Sequence, residues 1–107
     1  MRDILVFPNL LLSLQPDYLL VYLLTPLGPA RTRVAASIHF APASFVGGAC
    51  HAPDVFAFWD LTNGEDRRIC EGQQLGVASA GYRAGRYTRV DDGLYAFDQW
   101  LLGAYGL

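Results

Sequence analysis

From Ile4 to Leu27 the chain is dominated by leucine, yet turn-forming residues cut this stretch at Pro8-Asn9 and again at Gln15-Pro16-Asp17. A membrane-spanning helix needs about 20 consecutive apolar residues. No uninterrupted run approaches that length. A signal peptide is excluded as well, because Asp3 follows Arg2 at once and no small-residue cleavage site comes after. What remains is a set of short apolar segments separated by turns, which is the pattern of strands. Residues 9–14 and 18–25 make two of them. Pro26 to Ala30 is a second turn. From 32 to 40 the alternation is clean, with Thr32, Val34, Ala36, Ile38 and Phe40 on one face and Arg33, Ala35, Ser37 and His39 on the other. Three strands joined by short turns form an antiparallel meander.

After Pro42 the pattern changes. Residues 42–50 are small and glycine-containing, a loop with room for one helical turn. Pro53-Asp54 suits a helix start, continuing through Leu61. Thr62 and Glu65 have capping-box spacing, which predicts a break and a second helix to about Ala78. Residues 79–90 read as loop. Asp91 or Asp92 caps a last helix over roughly 92–104, where Leu94, Phe97, Trp100, Leu101 and Tyr105 recur at three- and four-residue steps. Sheet first and helices after is an α+β arrangement.

Composition narrows the function classes. The 107 residues fit one domain or part of one. At 52% hydrophobic and 13% aromatic, the chain has the apolar material for a core, which argues against disorder. All eight basic residues are arginine and the net charge is -2, so the electrostatic footprint of a nucleic-acid binder is missing. Cys50 and Cys70 make no disulfide framework and read as reduced thiols in a cytoplasmic protein. Phosphate loops, G-x-S-x-G and His-x-x-x-His motifs are absent.

The segment Glu65–Ala78, EDRRICEGQQLGVA, is the one with chemical content. At about 100° per residue, Asp66, Ile69, Cys70, Gln73 and Val77 share a face. A carboxylate on that mostly apolar face, if turned inward, needs a cation, a donor network or a metal. The plainer alternative is an acidic residue in a first helical turn, complementing the helix dipole. His39 falls on the polar face of a strand and reads as a surface residue; His51 lies in a loop and reads as solvated or as a local hydrogen-bond partner. The aspartates at 91 and 92 are read as helix caps rather than an acid pair. Tyr82, Tyr87, Tyr95 and Tyr105 read as packing aromatics.

Three stretches carry a family resemblance: FPNLLLSLQPDYLLVYLLTPLGPARTRV (7–34), FWDLTNGEDRRICEGQQLG (58–76) and YRAGRYTRVDDGLYAFDQWL (82–101). Together they resemble the C-terminal part of the catalytic domain of Rieske non-haem iron ring-hydroxylating oxygenase α subunits. The most specific part is Glu65-Asp66, followed by Ile69-Cys70-Glu71, Gln73 and Gly76. The resemblance implies a partial helix-grip (START-like) fold over residues 1–107. It implies that Asp66 is the carboxylate of a two-histidine, one-carboxylate triad on Fe(II), a set that leaves iron positions open for oxygen and substrate. Gln73, Phe56 and Trp59 would then line or support the pocket, with a buried helix-to-sheet hydrogen bond the alternative for Gln73.

The departures are as specific as the match. The family's two histidine ligands lie upstream of the matched region, and neither His39 nor His51 corresponds to them. The Cys-x-His and Cys-x-x-His pairs of a [2Fe–2S] Rieske domain are missing, since Cys50-His51 is an adjacent pair. One carboxylate is not an iron site. The expectation is therefore part of an oxygenase, with the upstream portion absent. The intact enzyme would hydroxylate an aromatic or other apolar small molecule, as a mono- or dioxygenase of aromatic catabolism. Its electrons would come from NAD(P)H through a reductase or ferredoxin. The rival expectations are a non-catalytic small-ligand module or metal-free remnant, and an assembly piece that self-associates through its apolar strands. No membrane or nucleic-acid partner is expected.

Overall fold

The computed structural model describes residues 1–107, which divide into two compact units, Met1–Phe40 with Gly85–Leu107, and Ala41–Ala84.

The first unit is a four-stranded antiparallel meander, β1 (Arg2–Val6), β2 (Leu10–Leu14), β3 (Tyr18–Gly28) and β4 (Arg31–Phe40), in the order β1-β2-β3-β4. Three of these strands are the expected ones, and β1 is an addition. Its strand state rests on pairing, with Asp3 opposite Ser13 and Ile4 opposite Leu12. Turn residues set the register. The Asn9 carbonyl accepts from Leu24 N at 2.9 Å while its Nδ2 donates to Leu24 O at 2.9 Å. Gln15 N donates to Tyr18 O at 2.9 Å and closes the next turn. Pro26 sits inside β3 without harm because β2 pairs with β3 only as far as Leu23, so there β3 is itself an edge. The register shifts between Pro26 and Gly28.

Ser13, Leu20 and Ile38 stand opposite one another across β2, β3 and β4. Leu20 is fully buried and Ser13 nearly so. Ser13 Oγ donates to Asp3 Oδ1 at 2.6 Å and accepts from Gln15 Nε2 at 2.9 Å, so the one polar residue in this row is satisfied.

Helix α2 appears where expected, and its range is Asp92–Tyr105. Phe97 and Trp100 on it meet Phe7 from the β1–β2 turn, with ring centroids 5.4 and 5.6 Å away. It ends in a Schellman arrangement: Gly106 adopts φ 71, its N–H reaches Gly103 O, and Leu107 N reaches Leu102 O. Asp91 holds the N-cap position, but its carboxylate does not cap the helix. It turns back to accept from Thr88 N and Thr88 Oγ1, both at 2.7 Å. The expected capping aspartate is thus a turn-closing one.

The second unit begins with a short 3-10 turn, Pro42–Ser44. A minimal hairpin follows, β5 (Phe45–Val46) against β6 (Ala49–Cys50). Gly47 and Gly48, at φ 61 and 83, supply the left-handed pair this two-residue turn requires. Then comes α1, one continuous helix from Pro53 to Val77. This corrects the expected break at Thr62-Asn63-Gly64. A glycine inside a helix costs only about 1 kcal/mol relative to alanine, too little to divide 25 residues. Thr62 and Glu65 lie mid-helix, where a capping box has no free N–H to serve. No helix in the chain is long and apolar enough to cross a membrane. The chain is α+β in the expected order, an antiparallel sheet followed by helices.

Candidate functional site

The residues singled out for chemistry all lie on α1. Because that helix is unbroken, Trp59, Asp66 and Gln73 fall at successive seven-residue steps. Seven residues rise about 10 Å and drift only about 20°. The three therefore form one stripe, which two separate helices would not have produced. Phe56 lies roughly 80° around the helix from Asp66. Val55, Trp59, Thr62 and Asn63, near this stripe in the first half of the helix, are half-buried. Phe58 packs edge-on against Trp59 with ring centroids 5.1 Å apart, a neighbour the sequence did not single out.

From Glu65 onward α1 is exposed on every side. Asp66, Ile69, Cys70, Gln73 and Val77, the face proposed from periodicity, are all exposed in this chain. The reason is simple: a 25-residue helix is about 37 Å long. The other elements of its unit are a single 3-10 turn and a six-residue hairpin, too small to cover it. An inward-facing environment for Asp66 would have to come from elsewhere.

Nowhere do three or more His, Cys, Asp or Glu side chains come together in a way that could hold a metal ion. His39 is exposed on β4 with its Nε2 2.9 Å from Ser37 Oγ, and His51 is exposed before α1. Both are solvated, as their positions predict. Cys50 and Cys70 are free. The residues present thus do not fit an iron site on their own: one triad-type carboxylate is available and no imidazole stands beside it.

A separate feature lies on the sheet. Leu10, Val21, Leu23, Ala35, Ala36 and Ser37 line an open concavity of about 290 Å³. It carries no ionisable group, so it can accept apolar surface but can do no acid–base chemistry.

Asp91 is held below the ordinary carboxylate range, chiefly by the Thr88 backbone N–H, then by the Thr88 hydroxyl. Tyr87 donates its hydroxyl proton to Asp98 of α2, and its ring meets Tyr95 edge-on. These bonds tie the Gly85–Asp91 segment to α2, in keeping with packing aromatics rather than a stacking platform.

Comparison with known proteins adds what the geometry cannot. The family described as ring hydroxylating alpha subunit (catalytic domain) matches residues 1–106. The glycine betaine monooxygenase oxygenase subunit of Chromohalobacter salexigens is 31% identical over 101 residues, which is 91% of this chain and 22% of that protein. The subunits of the same name from two Pseudomonas aeruginosa strains are 28% identical over 85 residues, covering 78% of this chain and 20% of theirs. The chain spans roughly a fifth of the length of these relatives. No solved structure matches it. With a match that runs over nearly its whole length, this chain belongs to the catalytic-domain family of the Rieske-type ring-hydroxylating oxygenase α subunits.

Proposed function

We propose that this chain supplies the carboxylate-bearing C-terminal portion of a mononuclear non-haem iron oxygenase, with Asp66 as the one iron ligand it contributes. The observation that supports this is the placement of Asp66 at the centre of the Trp59–Asp66–Gln73 stripe, within the family match. The two imidazoles, the [2Fe–2S] cluster and the electron path from NAD(P)H through a reductase or ferredoxin would reside in other polypeptide. Iron, when bound, would supply oxygen activation. The part of this chain is to present an anionic oxygen from a rigid helix, with Gln73 two turns on and Trp59 and Phe56 forming the apolar flank. Free thiols suit a reducing compartment such as the cytoplasm.

The substrate is a small molecule. The expectation of an aromatic or other apolar substrate rests on the family resemblance. The relatives' name, glycine betaine monooxygenase, instead supports monooxygenation of a small methylated compound, and we favour it over aromatic dioxygenation. The test combines this chain with the Rieske- and histidine-bearing portion of a family α subunit. Iron content, and oxygen uptake with glycine betaine and with an aromatic hydrocarbon, are then measured. Iron retention that depends on this chain, and falls to background in Asp66→Asn, supports the reading. Iron retention unchanged by that substitution ends it.

The sheet concavity favours a second reading, a metal-free module that binds a small apolar ligand. Saturable binding of such a ligand by the chain alone, lost in Leu23→Lys, would support it.

A further inference from the structure

We draw no further inference here: the strongest candidate, the open apolar concavity on the sheet beside the β4 edge, with the Ser37–His39 pair at its rim, is an unpartnered face of a chain that spans roughly a fifth of its relatives' length, and nothing in the structure shows what covers it.

Discussion

Leu20 is the one fully buried side chain of the molecule. Truncating a buried leucine typically costs about 2–5 kcal/mol. In a sheet with so small a core, Leu20→Ala should abolish cooperative thermal melting of the strand signal, whereas Leu14→Ala, at an exposed position, should shift it little. Ser13 is a milder case. Its hydroxyl links Asp3 and Gln15, so Ser13→Ala should lower stability by about 1 kcal/mol, read by chemical denaturation. Asp91 offers a pH test. Its folded-state acidity is raised by the Thr88 backbone N–H and hydroxyl, so its ionised form favours the folded state. That contribution is present above the unfolded carboxylate range and fades as pH falls through the lower folded value. A carboxyl NMR titration should therefore place Asp91 below the ordinary aspartate range. Thr88→Val, which removes the hydroxyl donor but keeps the N–H, should move it only part of the way back.

At the scale of elements, the continuity of α1 is the finding that most changes the picture, because it aligns Trp59, Asp66 and Gln73. Gly64→Ala should raise helical content and stabilise the second unit by up to about 1 kcal/mol, measured by circular dichroism. A break at Gly64 would make the same change neutral or unfavourable. At the end of α2 the opposite holds. Gly106 sits in the left-handed region, so Gly106→Ala should destabilise that helix end by roughly 1 kcal/mol. The contrast between two glycines, one improvable and one required, is a matter of backbone angle alone. It explains why Gly64 is carried inside α1 while Gly47 and Gly48 make a turn.

At the scale of the molecule, exposed Leu61, Ile69, Leu75, Val90 and Leu94 leave much apolar surface in water. A polarity-sensitive dye should therefore bind the isolated chain, and lose its signal when the histidine-bearing part of a family α subunit is added. Much of the architecture was legible in the sequence. The turns at Pro8-Asn9 and Pro16-Asp17, the alternation from Thr32 to Phe40, and the three- and four-residue steps of α2 are local signals, set by sterics and periodicity within a few residues; the turn expected over residues 26–30 is shorter, because β3 runs on to Gly28. β1 was not legible, because a short strand opening on Arg2-Asp3 acquires its character only from Ser13 and Leu12 across the ladder. The break expected at Thr62 failed for the converse reason: a weak local preference yields to the hydrogen bonds of a helix already propagating on both sides. For the candidate site, the sequence by itself determined which residue types stand at which spacing, and so which family the chain resembles. Only the structure decided that Trp59 joins Asp66 and Gln73 in one stripe, because α1 is unbroken, and that from Glu65 on α1 lies open. Burial is a property of what packs against a helix, and periodicity within the helix can name the face but not supply the cover.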